Sequence, residues 1–373
     1  MADETGADAK TARPRALAGP YRLADRPAVT RVRHRSEPEI LEGGGAQQSL
    51  RGFPAEYRDI VDFIVRITRR IWIEGAVGLI YDTHDPNCVI YTDADVGRGV
   101  EPVVAATIRS LASFPEVDNH YLNVAWSGDD TDGFYTSHLG FSSGVNVGDT
   151  LYGPATGRAA TVRFCADCVT LAGRIHTEWL ARDNGAFVRQ LGLDPHEAAR
   201  RLALTPPGEL YTRPAPARLA GQTPPAPLDG SRETIDAHLR HLFHDIWNRR
   251  RLDLMDGAYA PDVRVHTAGG RVAQGVPALR ALHLSLLASM PDSSLTVRNI
   301  CWSDETDGII GAVRWELAGT ARSGGWLGSL PDGVPVAVPG MTHCRFGEDG
   351  RIVEEWTVWD EVGVLAQAYR AAA

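Results

Sequence analysis

The sequence predicts an α+β protein built as two tandem copies of one domain, and three observations carry that expectation. The first is an internal repeat: Leu111-Ala112-Ser113-Phe114-Pro115 recurs as Leu287-Ala288-Ser289-Met290-Pro291, an offset of 176 residues. The second is the order of periodicities in each half, helical spacing of apolar residues first and short strand-like runs afterwards. The third is a proline-rich break between the halves. Together they predict a curved antiparallel sheet wrapped around helices, made twice and packed as an intrachain pseudo-dimer.

The repeat runs the length of both halves. Gly99-Val100 matches Gly275-Val276, Trp126 matches Trp302, and Gly173-Arg174-Ile175 matches Gly350-Arg351-Ile352. Glu178-Trp179 matches Glu355-Trp356, and Asp183 matches Asp360. A period this long is a domain duplication, because solenoid repeats are much shorter. The expected organisation is a disordered tail over 1–45, a first domain over 46–203, a Pro-rich linker over 204–230 and a second domain over 231–373.

Each domain opens on an amphipathic helix. Tyr57, Ile60, Val61, Ile64, Ile67 and Ile71 recur at spacings of three or four, as do Ile235, Leu239, Leu242, Phe243 and Ile246. Ser231 is a good residue type to cap the second of these. Strand-like runs follow, among them 162–168, 296–302, 309–317 and 352–358, separated by turn signals such as Asp-Gly-Arg.

Composition narrows the function. The 373 residues carry a formal net charge of −9, which argues against nucleic-acid binding. No apolar run approaches the roughly 18 residues that span a bilayer, and no export signal is read, so a cytoplasmic protein is expected. Cys165 and Cys168 tempt a zinc or redox assignment. Residues three apart on a strand face opposite sides, however, and no second ligand pair stands at suitable spacing, so two buried thiols and no metal are expected.

Residues 148–192 read GDTLYGPATGRAATVRFCADCVTLAGRIHTEWLARDNGAFVRQLG. This segment resembles the SnoaL-like polyketide cyclase and predicted ester cyclase family, within the nuclear transport factor 2-like superfamily. The resemblance lies in the GPATGR turn, the GRIHTEW strand and the QLG ending. Residues 340–367, GMTHCRFGEDGRIVEEWTVWDEVGVLAQ, resemble the same strand, turn, strand and helix. The resemblance implies two cone-shaped α+β barrels, each with a pocket between curved sheet and helices. It also implies intramolecular aldol chemistry without metal or cofactor, run by an Asp at the mouth of the last strand. That role falls on Asp183 and Asp360.

Proton transfer beside a carbonyl also needs a donor for the enolate oxygen. Candidates are His138, Tyr135 and Tyr152 in the first copy, and His343, His266 and Arg314 in the second; His266 aligns with Tyr91. On a regular strand Trp179, Ala181 and Asp183 share one face, as do Trp356, Val358 and Asp360. This parity places each Asp beside a tryptophan. Trp126, Trp179, Trp302 and Trp356 are then candidate ligand platforms or simply core, and each Asp could equally be a helix cap. The Asp129–Asp132 run is expected to be a hairpin turn rather than a cation site. Three functions stay open: a cofactor-free cyclase or isomerase acting on a small, largely apolar carbonyl compound, a hydrolase or dehydratase in which Asp activates water, and a non-catalytic ligand-binding or dimerisation module.

Overall fold

The first amphipathic helix forms where its spacing predicts. Asp59 caps it by accepting from the Asp62 amide at 2.9 Å, and Ile60, Phe63, Ile64, Ile67 and Ile71 are buried along one side. The computed structural model describes residues 35–92, 95–205, 225, 234–305 and 308–372. Residues 1–34 of the expected tail, nearly all of the Pro-rich linker and Ser231 lie outside these. The second amphipathic helix is capped by Thr234, whose hydroxyl accepts from the Ala237 amide at 3.1 Å.

The first half runs α1 (Glu37–Leu41), α2 (Ile60–Trp72), α3 (Ile80–Thr83), β1 (His84–Tyr91), β2 (Val96–Arg98), α4 (Val100–Ser113), β3 (Asp118–Asp129), β4 (Gly133–Val145), β5 (Ala159–Leu171), β6 (Arg174–Arg182), α5 (Asn184–Gln190) and α6 (Pro195–Ala203). The second runs α7 (Ile235–Phe243), α8 (Met255–Ala258), β7 (Tyr259–Thr267), β8 (Arg271–Gln274), α9 (Val276–Ser289), β9 (Ser294–Glu305), β10 (Gly308–Ala321), β11 (Val334–Phe346), β12 (Ile352–Trp359) and α10 (Glu361–Ala372).

The two sheets have the same topology, β2-β1-β6-β5-β4-β3 and β8-β7-β12-β11-β10-β9. One feature corrects the expectation of a wholly antiparallel sheet: β1 pairs with β6, and β7 with β12, in parallel. In each copy a helix carries the chain to the far edge, and successive hairpin reversals bring the last strand back beside the first in the same direction. Gly99 and Gly275, both with φ near 81°, start those helices and make a left-handed turn that other residues rarely adopt.

Strand alternation gives each sheet two apolar faces. One packs on its own helices: Phe134, Cys168 and Ile175 meet α2, and Val313, Trp315, Leu317, Phe346 and Trp359 sit in the second core. The other meets the opposite sheet, where Leu139, Cys165 and Ala181 pack on Met341, Trp356 and Val358. Cys165 and Cys168 therefore point to opposite sides of β5, as their spacing implies. Val188, Ala198 and Ala199, from α5 and α6, complete the second domain's core.

The segment expected as the end of a disordered tail is part of the first domain. Ser36 and Glu39 form a capping box with Pro38 inside the first turn, Ile40 is fully buried, and Arg35 pairs with Asp59 at 2.6 Å. Low periodicity hid this helix because a single turn offers only one apolar anchor. Ile40→Ala is therefore expected to destabilise the protein by about 2–4 kcal/mol in urea unfolding; a null effect would return the segment to the tail.

Candidate active site

The interior of the second domain holds a cavity of about 40 Å³, lined by Trp247, Trp315, Trp326 and Trp359 among others. On its sheet wall Glu355 is buried, with Oε2 accepting from the Tyr259 hydroxyl at 2.8 Å and Oε1 from the Thr357 hydroxyl at 2.9 Å. Burial raises the Glu355 pKa and pushes the Tyr259 phenol well above its ordinary value. Across the cavity, desolvation holds His283 neutral, with a pKa near 4. Its Nδ1 lies 3.1 Å from the Leu279 carbonyl, so Nδ1–H donates there and Nε2 is the acceptor.

The first domain repeats this pair with one change. Strand register puts Glu178 where Glu355 stands and His84 where Tyr259 stands. The His84 Nε2 lies 4.0 Å from Glu178 Oε2. Burial lifts the Glu178 pKa to about 6, against the pull of Arg182, and lowers that of His84 to about 4.

None of the residues expected at the site lines the cavity. Asp183 lies between the domains: Oδ1 accepts from the Ala186 amide at 3.0 Å and the Gly269 amide at 2.7 Å, and Oδ2 from the Gly270 amide at 3.0 Å. It caps α5 and grips a turn of the other domain. Asp360 accepts from the Val362 amide at 2.9 Å and from Asn184 Nδ2 at 2.8 Å; burial, with Asp183 nearby, raises its pKa to about 6.

Trp179, Trp356, Tyr135, His343, Arg314, Tyr91 and His266 all lie on the faces turned away from the interiors. Tyr91 stacks on Trp179 and His266 on Trp356. The Arg314 guanidinium lies 3.9 Å from the Trp179 ring centre, donates to the Tyr135 oxygen at 3.1 Å and stands 3.5 Å from Asp167. Tyr135 in turn donates to Asp167. His343 bonds to Asn123 through Nδ1 and to Ser137 Oγ at 2.8 Å through Nε2.

The parity expected for Trp and Asp is correct, but the shared face is the one between the domains. A shift of one residue in the assignment exchanges the two faces.

Trp126 and His138 do face the first domain's interior; Trp126 packs edge-on against Phe134, and His138 is buried against Phe164 with Nε2 unpartnered. Trp302 packs at the edge of the second core, as does Tyr152, which also meets Phe187. The acidic 129–132 run forms a turn in which Asp129 accepts the Thr131 and Asp132 amides at 2.8 Å each. The two glutamates were visible as the repeated Glu-Trp pair, where the larger aromatic drew the functional expectation.

The model of the SnoaL-like polyketide cyclase family matches residues 237–368. The second half is a SnoaL-like domain. The first half shares its topology strand for strand, so the chain carries this scaffold in two tandem copies, a scaffold of the small-molecule cyclase and isomerase type. Similar solved structures include TsrD from Streptomyces laurentii, 22% identical over 36% of this chain and 94% of its own, with a TM-score of 0.32. IdmH from Streptomyces antibioticus, a proposed polyketide cyclase, is 20% identical over 36% of this chain and 98% of its own, with a TM-score of 0.31. A proposed SnoaL-like polyketide cyclase from Jannaschia sp. CCS1 is 17% identical over 36% and 92%, with a TM-score of 0.33. No curated protein matches the chain. Among the described residues, no helix is long and apolar enough to cross a membrane.

Two outcomes follow for stability. Asp183→Ala removes an acceptor of three backbone amides and should cost about 1–3 kcal/mol in thermal or urea unfolding; unchanged stability would show that the clamp is not formed. His343, like His84, His138 and His283, has a folded pKa held far below the ordinary value by burial. The stability tied to the neutral ring is complete above pH about 6.5 and is lost as pH falls toward the folded pKa, by about 1 kcal/mol per pH unit for each histidine. His343→Gln should flatten the stability profile between pH 6.5 and 4. An unaltered slope would place His343 in a solvated setting.

Proposed function

We propose that the chain is a cofactor-free acid/base enzyme acting on a small, largely apolar carbonyl compound. The last-strand glutamates, Glu178 and Glu355, are the proton-transfer groups, and Asp183 and Asp360 hold the copies together. The observation that carries this is the Glu178–His84 pair: a mostly buried carboxylate with a pKa raised to about 6, 4.0 Å from an imidazole held neutral by burial. A base tuned near neutrality suits removal of a proton next to a carbonyl.

In that step the C–H electron pair moves into the enolate and the proton to the Glu178 oxygen. The protonated Glu178 carboxyl then donates to the enolate oxygen: the Thr83 hydroxyl is spent on the Leu79 carbonyl, so the neutral His84 ring keeps its proton on Nδ1 and its Nε2 is an acceptor. Beside Glu355 the Tyr259 hydroxyl would be the donor. The enolate carbon attacks a second carbonyl of the same molecule, and the new alkoxide takes the proton back, so nothing is oxidised or reduced. A second reading has one supporting observation. The cavity beside Glu355 has room for a few water molecules, which suits a hydrolase or dehydratase in which the carboxylate activates water.

The buried contacts between the sheets support treating the two copies as an intrachain pseudo-dimer with domains over 46–203 and 231–373, the first reaching back to Arg35. The five cysteines are free, buried thiols, which supports a reducing, cytoplasmic setting.

Deuterium exchange at the acidic carbon of a β-keto ester, followed by proton NMR, tests the proposal. Exchange should rise with pH through about 6, as Glu178 ionises, and should fall about 100-fold in Glu178→Gln. Full-rate exchange with both Glu178→Gln and Glu355→Gln would remove the glutamates from the chemistry.

A further inference from the structure

The two copies differ along their long helices and in the loops after their fourth strands, and matched anchor points make the comparison residue by residue. The helices α4 and α9 both start at a glycine of the same conformation and both end at a serine, Ser113 or Ser289. Each serine donates to the loop after the fourth strand, Ser113 to the Asp149 carbonyl at 2.6 Å and Ser289 to the Gly324 carbonyl at 2.7 Å. Counting on by two in each loop places Leu151 where Trp326 stands.

Trp326 is 7% exposed, lies 5.5 Å from the Trp359 ring, and carries the Arg271 guanidinium 4.0 Å from its centre. Leu151 is 70% exposed. On the helix, Leu282 and Leu286 line the second cavity, whereas their counterparts Ala106 and Ser110 are small and exposed. Trp359 is replaced by Arg182, and Trp315 by Gly140. Only the last loss is made good, by the Phe164 ring, which leaves a Cβ on Gly140 no room at 2.8 Å.

We infer that the copies have divided their roles: the first admits the ligand through a mouth framed by Ala106, Ser110 and Leu151, while the second is stoppered by its own Trp326. The stopper also describes the ligand. In the second copy the space is taken by an indole and two leucine side chains, so the occupant of the first is a planar, apolar molecule at least as large as indole. Glu178 and His84 are in register with the pair that lines the second cavity. The inference takes the ligand's carbonyl chemistry from the proposed function, but not its location.

The test is fluorescence titration of the full chain with 2-naphthol, a planar apolar probe whose hydroxyl resembles an enol. Wild type should bind at one site. The double variant Ala106→Leu/Ser110→Leu, which copies the second domain's residues, should weaken binding tenfold or more. Both positions are exposed, so the fold should persist, and far-UV circular dichroism checks it. Leu151→Trp should weaken binding in the same direction, and Leu282→Phe, which narrows the second cavity, should leave it unchanged. No binding by wild type, or wild-type affinity in the double variant, would overturn the inference. So would loss of binding in Leu282→Phe with the fold intact. Because this reads binding, it can fail while glutamate-dependent exchange survives, and it can hold if exchange is absent.

Discussion

Each sheet in this molecule is buried on both faces, and most other features follow from that constraint. A lone six-stranded sheet with helices on one side leaves the opposite face to water. Here the second face of each copy covers that of the other. The central strands are therefore apolar in both directions along their middles, which is why the runs around Cys165 and Ile310 show little alternation of polarity. The polar groups that remain on these faces have to find partners across the gap. Arg314 reaches Tyr135 and Asp167, and His343 reaches Asn123 and Ser137. Breaking one partner of such a buried set leaves the other desolvated and unpaired, at a cost well above the value of the bond itself.

The same constraint gives the carboxylates at the strand ends and those inside the domains different surroundings. Asp183 and Asp360 sit at strand ends where the chain passes from sheet to helix, and both carboxylates are committed to amide donors. The glutamates five residues earlier in each copy point inward, where there are few donors. Their partners are single side chains, His84, or Tyr259 and Thr357. A carboxylate ringed by amides is held on several sides, while one facing a side chain is held on few.

Much of the fold was legible because duplication writes the same pattern twice. The matched Gly99 and Gly275, Ser113 and Ser289, and Glu178 and Glu355 align elements that a single copy would leave uncertain. Three things were not legible. The parallel pairing of β1 with β6 depends on where a crossing helix delivers the chain, which no local period records. The short helix Glu37–Leu41 has one buried anchor and so no period at all. The face of β6 and β12 that looks inward could not be told from the sequence, since both faces carry large apolar residues and a tryptophan is at home on either. Placing Trp179 and Trp356 in the pocket followed from that ambiguity, and Asp183 and Asp360 followed them by parity.

The contact between Ser137 and His343 has a further consequence. Under exact two-fold symmetry it would occur twice, yet its mirror positions hold Ala312 and Asp167, and Asp167 is engaged with Tyr135 and Arg314 instead. A homodimer cannot do this, because one gene fixes both sides of its interface. With both copies in one chain, association becomes an intramolecular step whose equilibrium does not depend on protein concentration. Dilution that would separate two free subunits leaves this pairing unchanged, and each side of the seam has been free to acquire its own residues.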